Sequence, residues 1–307
     1  PHTDLDMTIV DGWMVRAGRQ RGRAERPAAL ALMLLLMLLL MLLLTACVPA
    51  RLGRELPGFG PSGGSSERIR VLELYPGVTA TLVAPARLDL RERIDLILYA
   101  LPNGNSTAET MGRRLGEGIS WRYDIQHIGA QTRALRGRGL RQAVVVYLEA
   151  DTKSWSAWRS GYGYERANAR IVEIVDQLRA AIGNPSQLAV TLTGHSGGGS
   201  FAFGFIDARD TLPAWLERIA FLDSNYGFEP LHGDKIVAWL RQSPTHTLVV
   251  LAYDDREIML DGRKVVSDSG GTWRATQRMI RHFTQVFTIT QDTLGAFVRY
   301  RSPGIEI

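Results

Sequence analysis

The chain has a single cysteine in 307 residues. That scarcity excludes an intrachain disulfide and any zinc site built on several thiolates. Charge of one sign is also in short supply. The formal net charge is +5, and the first 46 residues hold five arginines (Arg16, Arg19, Arg21, Arg23, Arg26) against four acids (Asp4, Asp6, Asp11, Glu25), leaving +4 for the rest. Beyond residue 46, Arg133, Arg136, Arg138 and Arg141 form one local basic stretch, too little to indicate a nucleic-acid partner. No Gly-Lys-Ser/Thr follows a glycine-rich turn, so a phosphate-binding P-loop is disfavoured. No internal repeat is present.

The lone cysteine closes the one long hydrophobic run. Residues Ala28 to Leu44 are only Ala, Leu and Met, preceded by the arginine-rich stretch and followed by Thr45-Ala46-Cys47. A basic region, an apolar stretch and a small-residue cleavage site make a secretory signal, and the run is short for a membrane-spanning helix. Leu44-Thr45-Ala46-Cys47 resembles the bacterial lipobox. The resemblance implies that residues 1–46 are a signal peptide with upstream sequence, that Cys47 carries palmitate-type acyl chains, and that the protein is anchored in the bacterial cell envelope. Each buried methylene of such a chain contributes about 0.8 kcal/mol to membrane binding. Residues 47–67, with Pro57, Gly58, Gly60, Pro61, Gly63 and Gly64, have the composition of a tether, leaving 68–307 as the domain.

That domain alternates strands and helices. Arg70–Leu74 and Thr79–Val83 predict an opening antiparallel hairpin around Pro76-Gly77. Ile94–Tyr99, Ala143–Leu148, Leu188–Thr193, Ile219–Leu222 and Leu248–Ala252 are nearly continuous apolar runs, as in strands buried on both faces. Helical spacing joins Ile171, Ile174, Val175, Leu178 and Ile182, and helices are expected around Ile236–Leu240 and over Trp273–Phe283. The fold class is therefore α/β, with a mostly parallel central sheet and helices on both faces.

After the strand ending at Thr193 comes Gly194-His195-Ser196-Gly197-Gly198-Gly199, then the apolar helix-forming Ser200–Phe205. Strand, G-x-S-x-G, helix is the context of a nucleophile elbow, with Ser196 on a strained turn whose glycines leave room for close neighbours. Here the sequence resembles the α/β-hydrolase superfamily of esterases and lipases, over roughly Arg68 to Arg301. The resemblance implies the α/β-hydrolase fold, Ser–acid–His machinery with Ser196 as nucleophile, and no metal or cofactor.

The other parts of that machinery are sought at strand ends. Asn103-Gly104 follows the strand ending at Tyr99, where such hydrolases often carry His-Gly, and with Gly197 it would supply the oxyanion donors. A plain turn ahead of a capped helix at Ser106–Glu109 is the other reading. Three acids lie at later strand ends: the Asp254-Asp255 pair, slightly favoured, and Asp223. The aromatic stretch Trp155, Trp158, Tyr162, Tyr164 offers either a substrate platform or packing for neighbouring helices. No histidine follows His282. The domain is accordingly expected to be C-terminally incomplete, with the base beyond Ile307 after a strand that begins near Ser302 with nothing to close it; His232 is the substitute within the sequence. The expected function is hydrolysis of a small-molecule or polymeric ester, or a related acyl bond, through an acyl-enzyme at Ser196. Acyl transfer on the same nucleophile and a non-catalytic binding lipoprotein of the same fold are the alternatives.

Overall fold

The computed structural model describes residues 56–62, 67–75, 77–112, 127–183, 187–260 and 262–307, so Cys47 and the leader lie outside the described residues. The apolar runs become strands: β1 (Gly60–Pro61), β2 (Glu67–Tyr75), β3 (Val78–Pro85), β4 (Ile94–Ala100), β5 (Ala143–Ala150), β6 (Leu188–His195), β7 (Leu216–Leu222) and β8 (Thr247–Leu251). A short hairpin, β9 (Met259–Leu260) with β10 (Arg263–Lys264), stands apart from the main sheet, which continues with β11 (Thr290–Leu294), β12 (Phe297–Ser302) and β13 (Ile305–Glu306). The helices are α1 (Thr107–Met111), α2 (Ile128–Gly137), α3 (Trp155–Tyr162), α4 (Tyr164–Ala181), α5 (Gly199–Asp207), α6 (Pro230–Leu240) and α7 (Thr272–Thr284). Among the described residues no helix is long and apolar enough to cross a membrane.

The main sheet has eleven strands in the order β1-β2-β3-β5-β4-β6-β7-β8-β13-β12-β11. From β5 through β13 neighbouring strands are parallel. The strands β1 to β3 and the pair β12, β11 pair antiparallel at the two edges. The sheet is thus mixed, and the expectation of a mostly parallel sheet holds for its middle. Burial explains the division: seven of the eight β5 residues are buried, as a central parallel strand requires, whereas β11 and β12 stay largely exposed.

The carboxy-terminal region departs most from the sequence reading. The apolar run Val286–Thr290 is a turn and irregular chain after α7, with the Val286 and Phe287 N–H groups both donating to the Phe283 carbonyl, and only its last residue enters a strand. That strand returns through a two-residue turn with Gly295 at φ 60, a hairpin geometry glycine supplies without strain. Ile305–Glu306, expected to lack a partner, is paired on both sides, parallel to β8 and antiparallel to β12. The local basic stretch is also partly internal. Arg136, half-buried, pairs with the buried Glu67 and donates to the Val83 and Ala143 carbonyls, so its charge serves the fold.

Candidate active site

Ser196 begins a single 3-10 turn between β6 and α5, with φ 50. A left-handed backbone at a residue with a side chain costs of order 1–3 kcal/mol and persists only where the surroundings enforce it. They do so through the glycines. A Cβ at Gly194 would lie 2.9 Å from the Gly198 carbonyl carbon. One at Gly198 would overlap the Ala100 carbonyl oxygen, and one at Gly199 the Ser224 carbonyl oxygen. The elbow is therefore wedged between the ends of β4 and β7, and the N–H groups at the start of α5 face the region where negative charge would develop.

On the β4 side, Asn103 and Gly197 come together: the Asn103 carboxamide fills the space a Gly197 side chain would need. Both line the cleft that holds Ser196. Gly104 serves the turn instead, at φ 79 with its N–H donated to the Lys153 carbonyl at 2.8 Å. The next residues form the expected capping box, Ser106 with Glu109, that starts α1.

The three candidate acids occupy different environments. Asp254 is exposed and paired with Arg256 at 2.6 Å, whose hydrogen bonds hold its carboxyl down at about 2. Asp255 is buried, and its carboxylate accepts the backbone N–H groups of Thr272 at 2.7 Å and Trp273 at 3.3 Å. Asp223, at the end of β7, has φ 50 and accepts from the Thr272 hydroxyl. Burial, together with the charge of Asp255, raises the Asp223 carboxyl above its ordinary range despite that hydrogen bond.

His232 lines the same cleft as Ser196, yet both its ring nitrogens are engaged. Nδ1 accepts the Glu229 N–H at 3.0 Å, which fixes the proton on Nε2, donated to Asp207 Oδ1 at 2.6 Å. In this arrangement it has no free lone pair for the serine proton. Asp207 in turn accepts from Arg159 at 2.8 Å, and Arg159 donates to Asn168 and Ser200. Burial would raise the Asp207 carboxyl, but the bonds from His232 and the charge of Arg159 outweigh it and hold the carboxyl low. His246 lies ahead of β8, at the opposite edge of the sheet, and the ring of His195 is depressed in proton affinity by burial.

The cleft has a volume of about 700 Å³. Trp155 and Trp158 do not face it; each is 1% exposed, and they pack edge-on to one another with Trp155 against Phe201. The aromatic residues that line it are Tyr164, Phe203 and Tyr226. Tyr226, Arg159 and Asp207 went unnoticed in the sequence. Only Tyr226 carried a signal, as an aromatic three residues beyond a strand-end acid.

No family model matches the chain, and no curated protein matches it in sequence. Among solved structures it is similar to a cold-adapted esterase from an Arctic intertidal metagenomic library, with a TM-score of 0.39 at 15% identity over 74% of this chain and 83% of that one. A feruloyl esterase module from Clostridium thermocellum has a TM-score of 0.39 at 12% identity, over 64% and 73% of the two chains. A siderophore hydrolase from Aspergillus nidulans has a TM-score of 0.36 at 15% identity, over 74% and 82%.

Proposed function

We propose that this protein is a serine hydrolase of the α/β-hydrolase type, cleaving an ester or related acyl bond through an acyl-enzyme at Ser196. The observation that carries this reading is the elbow itself. Ser196 has a left-handed backbone between a buried strand and a helix, on a cleft lined also by Gly197 and Asn103. Attack by Ser196 Oγ on an acyl carbon would place the carbonyl oxygen near the Gly197 and Asn103 N–H groups. Preorganised donors aimed at a developing oxyanion lower the barrier because they need no reorganisation at the moment of reaction. Asp223 and Asp255, which share Thr272, are the acids nearest in character to a triad member. Asp254, turned to its arginine partner, is the least suited.

The test uses the full chain with a fluorophosphonate probe and a panel of esters of increasing acyl length. Wild type should label and hydrolyse. Ser196→Ala should lose labelling and about 10⁴-fold or more in kcat while its unfolding temperature stays within a degree or two. A non-catalytic binding protein would neither label nor turn over.

Anchoring through a lipid on Cys47 belongs to the same proposal and rests on the sequence motif. Labelled fatty acid should enter wild type and not Cys47→Ser, with the variant moving from the membrane to the soluble fraction. Equal incorporation in both would remove the anchor from the proposal.

A further inference from the structure

The order of strands fixes what flanks the nucleophile. Ser196 follows β6, which lies between β4 and β7. The β4 loop brings Asn103 to one side of the serine, and the β7 loop, residues 223 to 229, occupies the other. An ester whose carbonyl oxygen faces the Asn103 and Gly197 donors turns its acyl chain and its departing oxygen away from them, so the β7 loop is within reach of the departing oxygen.

Tyr226 is on that second loop. It lines the cleft with Ser196, near enough for the serine side chain to act on its phenol. The loop is held firmly. Asp223 N–H donates to the Leu251 carbonyl at 2.6 Å, Ser224 Oγ to the Gly194 carbonyl at 2.9 Å, and Asn225 Nδ2 to Thr276 Oγ1 at 2.9 Å. The phenol is 38% exposed by residue, so a substrate in the cleft can reach it. Burial, then Asp223, Tyr253 and Asp255 around it, push its pKa up to about 12. At neutral pH it stays an O–H donor and is no base.

We propose that Tyr226 is a further catalytic residue, whose hydroxyl donates a hydrogen bond to the departing alcohol oxygen as the acyl bond to Ser196 forms. In this step the Ser196 Oγ–carbon bond forms, the bond from that carbon to the alcohol oxygen breaks, and the Ser196 proton ends on the departing alcohol; Tyr226 keeps its own proton and stabilises the partial negative charge that collects on that oxygen as its bond to carbon breaks. The inference rests on the reading of Ser196 as nucleophile.

Its signature is dependence on the leaving group. An alkyl alkoxide is strongly basic and gains much from a donor, whereas 4-nitrophenolate spreads its own charge and gains little. Tyr226→Phe should therefore lower kcat/KM by about 10²-fold, the usual effect of removing one transition-state donor, on an alkyl ester. On the 4-nitrophenyl ester of the same acid the loss should stay below about fivefold. The unfolding temperature and the extent of fluorophosphonate labelling should match wild type. Equal losses on both esters, or no loss on the alkyl ester, would overturn the role of Tyr226 while leaving Ser196 in place. Absence of Ser196-dependent hydrolysis in wild type would overturn the serine-hydrolase reading and this inference with it.

Discussion

Ser196 and Asp223 both adopt φ 50, at the carboxyl ends of adjacent strands. Strain of that kind at neighbouring strand ends points to a site shaped against the local preference of its residues. For Asp223 the electrostatics run the same way, since burial and Asp255 raise its carboxyl. A carboxyl whose folded pKa lies above its unfolded value destabilises the fold once ionised; the penalty is absent below the unfolded pKa and complete above the folded one. Asp223→Asn should therefore raise the unfolding temperature at neutral pH, and the gain should shrink to nothing as pH falls below about 4, the ordinary carboxylate range. Thermal melts of both proteins across that range check it, and a variant less stable than wild type at pH 7 would refute the penalty. Much at this scale was legible beforehand. The glycines around Ser196 announce close backbone approach, because no other residue survives contact with the Ala100 and Ser224 carbonyls. The role of Asp255 was not legible, because its partners on the α7 backbone come from the tertiary fold, whereas Arg256, the partner of Asp254, lies only two residues on.

Among elements, α7 shows how far a cap can travel. Its N-cap residue Gly271, at φ 94, has no side chain to offer, and Asp255, seventeen residues earlier than Thr272, accepts the first N–H groups instead. Orphan donors at a helix start are worth about 1–2 kcal/mol when capped. Asp255→Ala should lose about that much or somewhat more, since the donors are buried. Asp254→Ala, at an exposed position, should stay within about 0.5 kcal/mol of wild type. Chemical denaturation of the pair decides, and equal effects would show that Asp255 has no capping role. The strands were readable from their apolar runs, and the helix pattern of Ile171, Ile174, Val175 and Leu178 is buried as spaced. Trp155, Trp158 and Tyr162 carried a helical spacing of three and four as well, with Ser154 as cap. Read that way they are one packed face of α3, and the aromatic character of the stretch needs no ligand. The apolar run after α7 reads differently for the converse reason: Phe287 and Ile289 pack on the core from irregular chain between α7 and β11, and burial alone does not distinguish a strand from that.

At the scale of the whole molecule, the alternation of strand and helix was enough to specify the parallel middle of the sheet, because each crossover is local in sequence. The antiparallel edge at the far end was not specified, since it depends on where a hairpin docks. That docking is slender. The hairpin β11–β12 is internally joined by five residue pairs, yet among the described residues it reaches β8 through the two residues of β13, each paired on either side, and the adjoining Gly304, whose carbonyl accepts the Leu248 N–H. Ile305, 3% exposed, and Ile307 are the buried part of the tie, while Leu294, Phe297 and Val298 stand largely in solvent. A unit held by so little buried surface opens at a free energy below that of global unfolding. Its backbone amides should thus exchange with solvent deuterium as one group, well ahead of those in β4, β6 and β7, and Ile305→Ala should speed the hairpin alone. Exchange of both groups at a single common rate would mean that the edge melts only with the whole. If it opens first, the eleven-stranded sheet is two cooperative bodies in time though one in space, and the body carrying Ser196 keeps its order while the other comes and goes.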